Sequence, residues 1–229
     1  MLELPPMVLA GLTGLISGVL LSIPVGPINF TIINEGARRG FNWALLIGLG
    51  ATAMEIIYCG IAFTGFAAFF EKGWIKSSME VFSFLFLMFL GVKFLLAKTV
   101  SAPMHLGKTA DRIEERIEEK FHPHSAFMTG FVRTLANPGV LLGWIILGAN
   151  FISRGWVEPT WNGKLSCLGG VATGVGLWFL GLSWAVSFGH KKITEPTMLK
   201  MERGSGVGLL ILGLAHGLHI AWQLAKHRM

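Results

Sequence analysis

Apolar positions along this chain fall into six long runs, residues 8–33, 43–70, 79–97, 127–152, 164–188 and 206–224, joined by polar connections. Crossing about 30 Å of hydrocarbon takes about 20 mainly apolar residues in a helix, and each run meets that length. The pattern predicts an all-α membrane protein with six transmembrane helices. The first run is too long and too rich in glycine for a cleaved signal peptide, and no basic segment precedes it. The one long polar connection, residues 98–126, carries Ile113, Ile117 and Phe121 on one stripe between 109 and 121, with Asp111 and Glu114 early and Lys120 late. That pattern reads as a short cytoplasmic amphipathic helix resting on the bilayer or the bundle. His122 and His124, just beyond it, read as a solvated pair.

Composition sharpens the picture. Of 229 residues, 52% are apolar and 14% charged, against about 25% charged in a soluble domain, and the mean hydropathy is +0.61. These values exclude an ordinary cytosolic enzyme, a disordered chain and a disulfide-stapled secreted domain. The net charge of +6 does not indicate nucleic acid, because the Lys and Arg residues form no basic stripe. Their distribution sets orientation instead. The connections after the first, third and fifth runs hold eleven: Arg38 and Arg39, then Lys98, Lys108, Arg112, Arg116 and Lys120, then Lys191, Lys192, Lys200 and Arg203. The opposite side holds six, so both termini are placed outside. Trp74, Trp156, Trp161 and Trp222 fall near the outer interface, as an aromatic belt requires.

The two halves are alike. A shift of 121 positions lays Gly48, Ala51, Thr52 and Gly60 onto Gly169, Ala172, Thr173 and Gly181. Helices 1 and 4 each carry a proline break, Pro24-Val25-Gly26-Pro27 in one and Asn137-Pro138-Gly139 in the other. Three spans per half cross the membrane in opposite senses, so the expected architecture is two inverted three-helix repeats, residues 1–97 and 127–229. Proline removes a backbone donor and leaves carbonyls unpaired, and irregular backbone at membrane depth survives only where it is buried in protein or lines a wet cavity. Ser22, Asn29 and Thr31 surround the first break, Thr134 and Asn137 the second. Matched breaks of this kind mark the binding site of secondary transporters.

Charges inside the spans point the same way. Glu55 lies near mid-bilayer, where a carboxylate is costly and marks function by default. It is the expected proton-coupling group or counter-ion for an ammonium, and its structural alternative is pairing with a basic residue. Arg133 either pairs with Glu55 or clamps a substrate carboxylate through its planar fork, while Lys93 snorkels to the interface. His216 and His219 share a face of helix 6, but two ligands are too few for a closed metal site, so no metal and no cofactor is expected. Cys59 and Cys167 are displaced from both breaks and read as small packing residues. Neither paired aspartates nor a zinc-helix motif is present, so the chain does not read as an intramembrane enzyme. The Gly14/Gly18, Gly170/Gly174 and Gly213/Gly217 spacings allow close helix packing, in a compact bundle or a homodimer.

Several of these segments, taken in order, resemble a known family. Gly14-x-x-x-Gly18, then Ser22-Ile-Pro-Val-Gly-Pro27 with Asn29, then Gly36-x-Arg38-Arg39-Gly40-Phe41, is similar to the first helix and loop of the LysE/RhtB family of amino-acid exporters. Gly48-x-Gly50-Ala51 to Glu55, Gly91-Val92-Lys93 and Asn137-Pro138 extend the resemblance, with Glu55 standing where that family usually has Asp. The resemblance implies a multi-pass protein of the bacterial inner membrane that exports amino acids or related small amphoteric metabolites, driven by the proton gradient. The site residues expected on this reading are Ser22, Pro24, Gly26, Pro27, Asn29, Thr52, Glu55, Arg133, Asn137 and Pro138. A divalent-cation exporter of the same superfamily is the alternative.

Overall fold

The computed structural model describes residues 5–23, 27–65, 73–97, 116, 125–188 and 195–226. The described residues form eight helices and no strand. They are α1 (Pro6–Ser22), α2 (Pro27–Arg39), α3 (Phe41–Gly65), α4 (Gly73–Leu95), α5 (Ala126–Ala136), α6 (Pro138–Ser153), α7 (Trp161–Phe188) and α8 (Glu195–Lys226). Residues 8–33, expected as one interrupted helix, appear as α1 and α2 on either side of the first break. α2 runs on to Arg39, where Arg39 Nε lies 2.8 Å from Glu35 Oε2 one turn back and its cation stacks 4.6 Å over the Trp43 ring. Gly40, at φ +85°, then turns the chain into α3, a backbone conformation that glycine adopts without a Cβ penalty.

α5 and α6 meet at 68° around Asn137. Among the described residues two helices, Phe41–Thr64 and Trp161–Phe188, are long and apolar enough to cross a membrane unaided, and the bent pair makes a third. α1 and the Phe84–Leu95 part of α4 are apolar but shorter. The surface has the polarity of a bilayer protein: Leu218, Leu96, Phe89, Ile211 and Trp184 are each more than 60% exposed, while Asn29, Glu55, Asn150 and Glu202 are buried. Exposed apolar area on this scale needs a lipid or protein partner.

α3 is the hub of the bundle and packs against α2, α5, α6 and α7. The tightest pairings are α1 with α7, α4 with α8, and α3 with α5. Lipid offers no hydrophobic drive for helix association, so close backbone approach has to supply it. Glycine permits that approach. A methyl on Gly14 or Gly170 would overlap the carbonyl oxygen of Cys167 or Gly11 across the α1·α7 contact. One on Gly130 or Gly50 would overlap that of Ile47 or Phe127 across α3·α5.

Replacing Gly130 with Ala is therefore expected to lower stability by about 1–3 kcal/mol or more through overpacking. Gly181→Ala places its methyl where no atom lies within 4 Å and is expected to leave stability unchanged or raise it by up to about 1 kcal/mol through helix propensity. Thermal unfolding of the two variants in detergent checks the contrast.

Candidate functional site

Each break leaves carbonyls that the helix itself does not satisfy, and in both cases a side chain takes one. At the first, the Asn29 amide nitrogen on α2 donates to the Ser22 carbonyl at the end of α1, 2.9 Å away. The indole nitrogen of Trp178 on α7 donates in turn to Asn29 Oδ1 at 3.1 Å. Asn29 is thus held from both ends, and it is 4% exposed. At the second break Pro138 has no N–H, so the Thr134 carbonyl takes the Asn137 amide instead. The Gly139 amide turns to Asn137 Oδ1, 3.0 Å away, which caps α6 but removes the ordinary donor to Leu135. The Tyr58 hydroxyl of α3 replaces it, donating to the Leu135 carbonyl at 2.7 Å.

The two broken spans also touch. Arg133 Nη1 on α5 donates to the Thr31 hydroxyl on α2, so a cation near the second break is tied to a residue just past the first. Glu55, 8% exposed on α3, accepts from the Trp144 indole of α6 at 3.2 Å. Glu55 and Arg133, expected either to pair or to act separately, take different partners here. Trp144 lies two turns beyond the Asn137 cap, so the buried acid and the second break belong to one neighbourhood.

The remaining expected residues sort differently. Ser22 and Thr52 are buried and spend their hydroxyls on their own helices, donating to the Gly18 and Gly48 carbonyls at 2.8 Å each. Pro138 opens α6 and Pro27 opens α2, positions where a missing N–H costs nothing. Pro24 and Gly26 lie outside the described residues, as do His122, His124 and, Arg116 apart, the 109–121 segment. His216 and His219 fall on α8 with side chains outside those described, and among the described residues no group of three or more His, Cys, Asp or Glu could hold a metal.

Cys59 and Cys167, expected as small packing residues displaced from both breaks, are in the core of the bundle. They are fully buried on two helices that pack against each other, α3 and α7. Three features were not foreseen. Tyr58, Trp144 and Trp178, which the sequence does not single out, each donate the hydrogen bond that completes a break or holds the acid. The Thr134 hydroxyl, at the second break, is buried without a hydrogen-bond partner. Glu202, on α8 ahead of the predicted sixth span, is 2% exposed with one carboxylate oxygen likewise unpartnered. Burial pushes its carboxyl up to about 7, and the nearby Lys93 opposes the rise.

The LysE type translocator family model matches residues 19–221. The chain belongs to the LysE type translocator family. This translocator is also similar to the Bacillus subtilis (strain 168) protein named "Putative amino acid efflux protein YcgF", at 26% identity over 206 residues, covering 90% of this chain and 94% of the relative. No solved structure matches it. Family membership makes the chain a membrane transporter of a small molecule, acting in export, and the buried polar cluster its candidate translocation site.

Tyr58→Phe keeps the ring and removes only the donor to Leu135. It is expected to cost about 1–3 kcal/mol, the penalty of a buried carbonyl left unpaired. Thr64→Val removes an exposed hydroxyl bonded within its own helix and is expected to stay within about 0.5 kcal/mol of the parent. Unfolding of both variants, measured side by side in one detergent, separates the capping role from general loss of polarity.

Proposed function

We propose that this translocator is a proton-coupled secondary exporter of amino acids or closely related small amphoteric metabolites in the bacterial inner membrane. Its site lies between the two broken spans. The observation that carries this reading is the junction itself: Arg133 of one broken span bonds Thr31 of the other, and Glu55 is buried against Trp144 just past the second break. An amphoteric substrate needs a cation for its carboxylate and an anion for its ammonium, and Arg133 and Glu55 supply them. The unpartnered Thr134 hydroxyl adds a polar group for a ligand to satisfy. Ser22, Asn29, Thr52, Asn137 and Pro138, with Pro24, Gly26 and Pro27, shape the interrupted backbone around it. The family relative's efflux designation supports the substrate class.

The packing favours two inverted repeats. Exchanging the halves converts the α1·α7 contact into the α5·α3 contact, and both are glycine-lined pairings. The same exchange brings Tyr58 within one position of Trp178 under the 121-residue shift, and each donates from the middle of its helix to the break of the other half. Rocking one repeat against the other moves the site from the cytoplasm to the outside. Glu55 carries the proton: ionised it holds the substrate ammonium, and protonated it releases it. With both termini outside, the Arg38 and Arg39 loop faces the cytoplasm.

Efflux from proteoliposomes, assayed with a panel of amino acids under an imposed pH step, tests the proposal. For one coupled proton the steady-state substrate gradient is expected to follow the step by about tenfold per pH unit. Glu55→Gln is expected to weaken substrate binding and to leave only residual downhill exchange that no longer responds to the pH step. A pH-dependent gradient that survives in Glu55→Gln refutes the role given to this acid.

A further inference from the structure

A pocket of about 300 Å³ lies away from the breaks, between α1, α4 and α6. Its walls are Leu12 and Ile16 of α1, Leu87 of α4, Leu147 and Phe151 of α6, and Trp156 just beyond α6. Leu12 and Ile16 are also 42% and 49% exposed, so the pocket opens on the outer apolar face of the bundle. None of Glu55, Arg133, Asn29 or Tyr58 lines it. On α1 the lining extends from Leu9 to Ser17, about 12 Å of helix at 1.5 Å per residue.

The pocket is polarised along that length. Its lining is mostly apolar; of the polar members Thr13, Ser17 and Asn150, the Thr13 hydroxyl is spent on the Leu9 carbonyl at 2.8 Å and Asn150 is buried. Trp156 stands at the end where α6 stops at Ser153, and the Arg154 guanidinium lies 4.8 Å over its ring. Arg154 thus sets a positive charge beside the ring that closes this end of the pocket. The occupant that matches this surface is amphipathic, with an apolar tail and an anionic head. Water fits poorly, because an apolar cavity offers it few hydrogen bonds.

We propose that this pocket binds one acyl chain of a membrane phospholipid, with Arg154 holding the phosphate of the same molecule. A lipid seated there packs against α1 and α6, which flank the two breaks, and fills the space between them and α4. The inference rests on the chain being a membrane protein and is independent of what it exports.

The test reconstitutes the full chain in bilayers of zwitterionic phosphatidylcholine containing a rising fraction of anionic brominated-chain phosphatidylglycerol. Difference measurements against Trp156→Phe and Trp184→Phe isolate the quenching of each indole. Trp184, 61% exposed on α7, reports bulk lipid. Trp156 is expected to quench at a lower brominated fraction than Trp184, and Arg154→Gln to raise that fraction about fivefold, the effect of one cation near a phosphate surface. As a second readout, native mass spectrometry is expected to find one phospholipid retained by the parent protein and none by Thr13→Phe, which fills the pocket. Parallel quenching of the two indoles, or quenching indifferent to Arg154→Gln, overturns the proposal. So does relief of Trp156 quenching by an exported amino acid, which assigns the pocket to the transport path.

Discussion

A broken helix inside a bilayer must find new partners for the backbone groups that the break releases, because hydrocarbon supplies none and each unpaired group costs several kcal/mol. This chain meets that constraint twice with side chains. Asn29 takes the Ser22 carbonyl, and Tyr58 takes that of Leu135. Neither donor lies on the helix whose carbonyl it takes. The breaks are therefore stable only when α2 and α3 are docked, so the irregular backbone and the tertiary packing form together. Pro138, which would merely weaken an isolated helix, becomes a fixed corner bent by 68°.

The two breaks concentrate polarity where a translocator of this family can use it. Arg133 and Thr31 join the two interrupted spans, and Trp144 places the carboxylate of Glu55 beside the second break. Around this centre the helices pack through glycine, with backbone against backbone at Gly14, Gly170, Gly50 and Gly130. Such contacts lack interlocking large side chains and suit helices that slide or rock. The single hub helix α3 contributes Thr52, Glu55, Tyr58 and Cys59 within two turns, so substrate chemistry, break capping and the packing against α7 are mechanically linked.

Much of this was legible in the residues themselves. Proline and glycine announce broken backbone locally, so the PVGP and NPG segments could be placed at interruptions without any neighbour in view. An acid in an apolar run is equally conspicuous, and Glu55 stands out for that reason. What the sequence could not convey was which helix faces which. Tyr58, Trp144 and Trp178 are amphipathic: their rings disappear into an apolar run, and the one polar atom of each matters only once its partner is known. Glu202 escaped notice because it precedes its predicted span, among charges that read as a solvated loop, whereas α8 carries it into the protein.

The central claim is that both breaks line one substrate site. Hydrogen–deuterium exchange of the reconstituted protein, with and without a substrate identified in the efflux assay, tests this most directly. Peptides covering residues 22–28 and 135–141 are expected to slow together on binding, with exchange in the lipid-facing turns of α8 unchanged. An exported substrate that slows neither break, or only one, contradicts the account.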